Sequence, residues 1–280
     1  MAFKTVVTVF RSETADTDHL RAATDLARRE DGHLHVLALG TERVLPGAYY
    51  AGANAVALQG LMEQAMAEAA EAEAAATRIL KAETDVSWDV IAAVAQFGGL
   101  AEILARRAAI ADLTVLPKPY GESRGNEDVA LTETALFATR TPVLILPEGM
   151  QTCPAARRIM IGWNRSSEAL AAIRAALPLL IRAESVEILI VDPPEHDPDR
   201  SDPGGALAEM LARHGARANI SVAARTMPRI SDVMLRHAVD RNVDLVVMGA
   251  YGHSRFREAI LGGATRNMLE NAKVAVLMAH

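Results

Sequence analysis

The residues with the most evident chemical potential are four glycines near the C-terminus. They follow a short apolar run at 245–248, and a helical pattern begins after the last of them. They are Gly249, Gly252, Gly262 and Gly263. Glycine-rich loops expose backbone N–H groups, and a helix N-terminus carries partial positive charge, so both attract anions. A strand, a glycine-rich loop and a helix in this order predict a phosphate-binding site.

Other interpretations of this stretch are open. Turns and close helix contacts in any α/β domain also use glycines. His253 follows the second glycine, where it suits either a phosphate contact or an exposed loop. Thr265, two residues after the last glycine, supplies a hydroxyl.

Other reactive residue types form no recognisable site. His33 and His35, with His19 nearby, have a spacing that puts the first two on one face of a strand, but a zinc site needs further ligands. We therefore predict no metal site. Cys153 lies beside Pro154 with no paired histidine, and neither a Gly-Lys-Ser/Thr nor a Gly-x-Ser-x-Gly motif occurs. We expect no enzyme activity beyond slow ATP hydrolysis.

Composition limits the partners. The chain has 280 residues, of which 50% are hydrophobic, and a formal net charge of −6. It has no basic stripe, so we expect neither nucleic-acid nor membrane binding. A single cysteine and the lack of a signal-like N-terminus predict a cytoplasmic location.

Strand and helix patterns alternate along the chain and repeat once. Residues 111–117 align with 243–249, and residues 142–146 align with 275–278. Alternating apolar strands and helices predict an α/β fold with parallel sheets covered on both faces. We therefore predict two tandem doubly wound, Rossmann-like modules of five strands each, at residues 1–148 and 155–280. Ligands in such folds bind at the carboxyl ends of the strands, where the loops after Gly162, Val191 and Met248 would converge.

The motifs also have a family likeness. The stretch Ile161-Gly-Trp-Asn-Arg-Ser-Ser-Glu168, the spacing Gly249-x2-Gly252-x9-Gly262 and the ending Val274-Ala-Val-Leu-Met together resemble a tandem universal stress protein. The resemblance covers nearly the whole chain. It implies a stress-response protein that binds an adenine nucleotide, ATP with Mg²⁺, in a regulatory role.

The resemblance also assigns positions. It implies that the loop glycines hold phosphates, that Asn164 takes the place of an aspartate at the adenosine, and that Val191 contacts the base. The candidate nucleotide-binding residues are Asn164, Val191, Met248, Gly249, Gly252, His253, Gly262, Gly263 and Thr265. Two departures weaken nucleotide binding: Gly263 replaces a serine or threonine, and Asn164 replaces the aspartate.

The N-terminal module departs further. Its loop begins Pro117-Lys-Pro-Tyr, and proline lacks the N–H that a phosphate would use. We infer that this module has lost its nucleotide site. The resemblance also implies that the last strands, Val143 to Leu146 and Val274 to Met278, pair within one chain, and a homodimer would be a further assembly. The alternative function is an interaction protein of the same fold with both sites empty.

Overall fold

The computed structural model describes residues 3–42, 55–96, 99–122, 124–193, 202–250 and 263–280. The strands are β1 (Thr5–Phe10), β2 (His33–Glu42), β3 (Ser87–Gln96), β4 (Leu113–Pro117), β5 (Val143–Leu146), β6 (Arg158–Gly162), β7 (Ser185–Val191), β8 (Ala218–Ala223), β9 (Leu245–Gly249) and β10 (Ala275–Ala279). The helices within these ranges are α1 (Glu13–Arg29), α2 (Ala55–Leu80), α3 (Leu100–Ala108), α4 (Asn126–Ala138), α5 (Ser167–Arg182), α6 (Gly205–Arg213), α7 (Ile230–Asp240) and α8 (Gly263–Asn271).

All the strands join one sheet in the order β3-β2-β1-β4-β5-β10-β9-β6-β7-β8. Each half contributes five parallel strands, which confirms the predicted α/β fold. The two halves meet where β5 and β10 pair antiparallel. The expected pairing of the last strands is therefore present, and it makes a single continuous sheet.

A pseudo-two-fold axis relates the halves. Leu144 pairs with Leu277, while Val143 pairs with Met278 and Ile145 with Val276. Exchanging the equivalent residues of β5 and β10 leaves this pairing scheme unchanged, so the axis passes through the Leu144–Leu277 pair. The parallel strands of the two halves consequently run in opposite directions, and their carboxyl ends lie at opposite edges of the sheet.

The core has two layers because successive side chains of a strand point to opposite faces of the sheet. One apolar cluster includes Leu34 of β2 and the buried faces of α1, α2, α5 and α6. The other includes Leu37 of β2 and the buried faces of α3, α4, α7 and α8. Helices thus cover both faces of the sheet. Within the described ranges, no helix is long and apolar enough to cross a membrane.

Candidate functional site

Asn164 lies at the carboxyl end of the C-terminal half, two residues after β6. Its side chain is exposed, and its Oδ1 atom accepts a hydrogen bond from the backbone N–H of Ser166 at 3.1 Å. Ser166 in turn caps α5, since its Oγ accepts a hydrogen bond from the N–H of Ala169 at 3.0 Å. Asn164 therefore shapes the loop that leads into the helix, and its side chain faces solvent beside β9.

Gly249 ends β9 in contact with the start of α5. A Cβ atom at this position would lie 2.4 Å from the backbone N of Ala169 and 2.7 Å from the carbonyl carbon of Glu168. Only glycine allows the strand and the helix to approach so closely. Gly263 differs, because a Cβ there would meet no atom of the described residues within 4 Å. Packing thus explains the first glycine, whereas no contact within the described ranges accounts for Gly263.

The other candidate residues have different surroundings. Val191 ends β7 and is partly buried. Met248 is 8% exposed and packs in the apolar core, so a ligand would meet it only through its backbone. Thr265 is 4% exposed and already has an interaction partner, which places its hydroxyl inside the protein. Gly252, His253 and Gly262 lie outside the described residues.

The start of α5, at the carboxyl edge of the C-terminal half, carries a negative charge. Hydrogen bonds from the backbone N–H of Glu168 and from the hydroxyls of Ser166 and Ser167, together with the nearby His280 ring, hold the pKa of the Glu168 carboxyl below its usual value. His280 also lies with its Nδ1 3.0 Å from the carbonyl oxygen of Ala250. The first turn of α5 thus carries its own ionised carboxylate, which would repel a phosphate group.

The position in the N-terminal half that corresponds to Asn164 holds a cation. Val6 pairs with Leu113, the first residue of β4, as Ile159 pairs with Leu245, the first residue of β9. Counting five residues onward from Val6 and Ile159 makes Arg11 the counterpart of Asn164. An arginine therefore stands where the resemblance implies an aspartate.

Arg11 belongs to a network of buried charges. Its guanidinium pairs with Asp128 and lies 3.4 Å from Glu127. Arg124 lies 2.7 Å from Asp16 and 3.2 Å from Asp128. The Asp16 and Asp128 side chains are only 2% and 5% exposed. Two arginines thus neutralise two buried carboxylates at this edge of the sheet.

The carboxylates also satisfy backbone donors. Asp16 accepts hydrogen bonds from the N–H groups of Arg11 at 2.6 Å and Ser12 at 3.2 Å. Burial alone would raise the pKa of Asp16, but His19, Arg124 and the Arg11 N–H together lower it below its usual value. Asp16 is therefore ionised at neutral pH.

Asp128 acts at the N-terminus of α4, the counterpart of α8. Its Oδ2 accepts a hydrogen bond from the N–H of Gly125 at 2.8 Å. The protein's own carboxylate thus occupies the helix end that would otherwise attract an anion.

The sequence indicates the unusual loop of the N-terminal half, but it did not lead us to predict the ion network there. The acidic first turn Asn126-Glu-Asp128 was the available signal, since acidic residues favour helix N-termini. The partners of Asp128 are too far away along the chain to be inferred from spacing.

A cavity of about 310 Å³ lies elsewhere, between the two halves. Its walls include Leu144 and Leu277 at the pseudo-two-fold axis and Cys153 from the connecting segment. Burial raises the pKa of the Cys153 thiol to about 12, so this thiol is protonated and a poor nucleophile. Arg182, at the same cavity, pairs with Glu30 at 2.6 Å. These contacts connect the halves, and we assign the cavity no ligand.

Comparison with known proteins agrees with this architecture. Residues 155–280 match the model of the universal stress protein family. The universal stress protein Slr1230 of Synechocystis is 26% identical over 141 residues, which are 50% of this chain and 43% of that protein. The chain therefore spans less than half the length of this curated relative.

Solved structures extend the likeness to the whole chain. A universal stress protein from Archaeoglobus fulgidus DSM 4304 has a TM-score of 0.73 at 15% identity, covering 99% of this chain and 98% of that one. A protein of unknown function from Pseudomonas aeruginosa PAO1 has a TM-score of 0.59 at 17% identity, covering 99% and 92%. At such identities the likeness establishes the fold. Residues 155–280 therefore match the universal stress protein family, and the solved structures show that the fold of the whole chain is that of a universal stress protein.

Proposed function

We propose that the C-terminal half binds one adenine nucleotide, ATP with Mg²⁺, at the carboxyl edge formed by β6, β7 and β9. The observation that carries the proposal is the adjacency of β6 and β9 in the sheet, where Gly162 pairs with Met248. This pairing puts the exposed Asn164 beside the start of the glycine-rich loop. Ligands of open α/β sheets bind at such an edge.

The distribution of charge favours one orientation of the nucleotide. Glu168 already places a carboxylate on the first turn of α5, which disfavours phosphate there. Helix α8 begins at Gly263, directly after the glycine-rich loop, and its first turn has no acidic residue. The phosphates would therefore lie toward α8 and the adenosine toward Asn164 and Val191.

The proposal assigns one nucleotide to each chain. In the N-terminal half, Arg11 and Arg124 bind Asp16 and Asp128 at the equivalent edge. A nucleotide would have to break these buried ion pairs, and the Asp128 carboxylate would repel its phosphates. The N-terminal half would then support the assembly without binding nucleotide.

We assign the nucleotide a regulatory role. Efficient phosphoryl transfer needs a metal, a positioned water and cationic support for the transition state. At this edge Asn164 is neutral and Glu168 is an ionised carboxylate, while Arg165, the cation next to Asn164, already has an interaction partner. Nucleotide occupancy would instead be signalled through the loop between β9 and α8.

Calorimetry of the full chain with Mg²⁺-ATP tests this function. We expect one site per chain, abolished in Gly252→Val because a side chain would fill the backbone space used by a phosphate. Gly60→Val is the matched control, since Gly60 is exposed in α2 and a Cβ there meets no atom within 4 Å. Asn164→Asp restores the family residue and should tighten binding. A wild-type chain that releases no heat at millimolar ATP would exclude the proposal.

One observation favours the alternative, an assembly protein with both sites empty. The contact between Gly249 and Ala169 explains the first loop glycine without any ligand. Mass spectrometry of the native protein as purified separates the two functions. Co-purified nucleotide supports binding, whereas a nucleotide-free protein of defined oligomeric state that also gives no heat with ATP supports assembly.

A further inference from the structure

Three side chains that can bind a metal come together on β2 and β3, in the N-terminal half. His33 Nε2 lies 2.6 Å from Asp89 Oδ1, and His35 Nδ1 contacts the same oxygen. The parallel register pairs His35 with Asp89 and His33 with Ser87, so all four side chains occupy one face of the sheet. The sequence supplied the two histidines, and the fold adds a carboxylate 54 residues away.

We propose that His33, His35 and Asp89 form a binding site for a divalent transition metal of the zinc class. One ligand atom from each residue lies within 4.8 Å of the others. Zinc bonds of about 2.1 Å in tetrahedral geometry place ligand atoms roughly 3.4 Å apart. Moving Asp89 Oδ1 back by about 1 Å from the two ring nitrogens would therefore admit the ion.

The chemistry of the donors selects the metal. Two imidazole nitrogens with one carboxylate suit Zn²⁺ and its neighbours, whereas Mg²⁺ and Ca²⁺ prefer oxygen ligands alone. The three side chains are 34%, 29% and 35% exposed, so an ion can enter from solvent and water can complete its coordination. This arrangement of three protein ligands leaves one coordination position open.

Ser87 supports the site from outside the ligand set. Its Oγ lies 2.7 Å from His33 Nδ1, the ring nitrogen that faces away from Asp89. Such a hydrogen bond fixes the ring orientation and leaves Nε2 for the ion. The ring centroids of His33 and His35 are 4.4 Å apart, and one nitrogen of each ring faces Asp89 Oδ1.

The fold itself does not require these residues. The strand registers align the two halves. Leu34 lies between Val6 and Trp88 in the N-terminal half, and Val186 lies between Ile159 and Ala218 in the C-terminal half. The counterparts of His33, His35 and Asp89 in the C-terminal half are therefore Ser185, Glu187 and Asn219. The same strand pair is thus built there without a histidine ligand. His19 is not part of the group, since it is buried with its Nε2 2.8 Å from the carbonyl oxygen of Val9.

The site is remote from the proposed nucleotide edge. In the sheet, four strands, β1, β4, β5 and β10, lie between β2 and β9. The proposed metal site and the proposed nucleotide site therefore share no strand, and each can be tested without the other.

Zinc titration of the full, tag-free chain tests the proposal, after treatment with chelator and without nucleotide. We expect one Zn²⁺ with micromolar affinity, weakened at least about tenfold by Asp89→Asn or His35→Gln. Ser87→Ala should weaken binding about tenfold through loss of the supporting hydrogen bond. His214→Gln, an exposed histidine on another element, and Cys153→Ser are the controls and should leave the affinity unchanged.

Spectroscopy with Co²⁺ in place of Zn²⁺ identifies the ligands directly. We expect visible absorption bands of a four- or five-coordinate ion in the wild-type chain, lost in Asp89→Asn while circular dichroism shows the fold intact. A wild-type chain that binds no Zn²⁺ would overturn the proposal. Equal affinity of the wild type, Asp89→Asn and His35→Gln would overturn it as well.

Discussion

Replacing Arg124 by methionine should destabilise the protein far more than the same change at the surface. Arg124 is 10% exposed and lies between Asp16 at 2.7 Å and Asp128 at 3.2 Å. Methionine keeps the aliphatic length but removes the charge. The variant would leave two buried carboxylates with Arg11 as the remaining arginine of the network.

The size of the effect follows from burial. Removing one partner of a buried ion pair costs about 3–5 kcal/mol because the other charge is left uncompensated. Asp16 keeps two backbone hydrogen bonds and Asp128 keeps Arg11, so we expect the lower end, about 3 kcal/mol. For a chain of this size each kcal/mol lowers Tm by roughly 2–4 °C, which predicts a decrease of about 6–12 °C.

Urea unfolding followed by circular dichroism measures the difference. Arg106→Met is the control, because Arg106 and Glu102 are 75% and 69% exposed and such pairs contribute about 0.5 kcal/mol or less. The pKa of Asp16 is lowered in the fold, so its ionised form stabilises the protein above its unfolded pKa of about 3.9. The deficit of Arg124→Met should therefore be full at pH 7 and shrink as the pH falls below about 4. Equal stability of the Arg124 and Arg106 variants would refute the role given to the network.

Two further predictions concern packing and the thiol. Gly249→Ala should cost about 1–3 kcal/mol, since the new Cβ would lie 2.4 Å from Ala169 N. A Cβ at Gly263 meets no atom of the described residues within 4 Å, so Gly263→Ala should be nearly neutral in urea unfolding. Similar costs for both variants would contradict the close strand–helix contact. Cys153, with a thiol pKa of about 12 and 7% exposure, should react with a disulfide reagent at pH 8 only after unfolding. Rapid labelling of the native chain would contradict its burial.

Local patterns were sufficient to predict much of the fold. Strand β5 lies at the residues predicted for it, Val143 to Leu146, because short apolar runs with β-branched residues favour strands. Strand β10 is shifted by one residue, since it runs from Ala275 to Ala279 where the pattern predicts Val274 to Met278. The ends of an element depend on hydrogen bonds to neighbouring elements, which a local pattern does not record.

The nucleotide site was predicted as a set of positions along the chain. Asn164 and Gly249 do lie near one another at the carboxyl edge, since β6 and β9 are neighbours. The burial of Met248 and Thr265 depends on how α8 and the sheet pack, so it was not accessible from sequence. Spacing identifies which backbone segments approach a ligand, but packing decides which side chains face it.

The sequence by itself determined the alternation of strands and helices and the internal repeat, because each depends on local pattern or on repetition, whereas the pairing of the last strands was expected only from the family resemblance. Tertiary structure decided which side chains from distant parts of the sequence come into contact. The register of β2 and β3 puts Asp89 against His35, and the pairing of β1 with β4 brings Arg124, in the segment after β4, against Asp16 of α1. Both contacts link residues more than fifty positions apart. Only the folded sheet brings such residues within the few ångströms over which charges and metal ligands act.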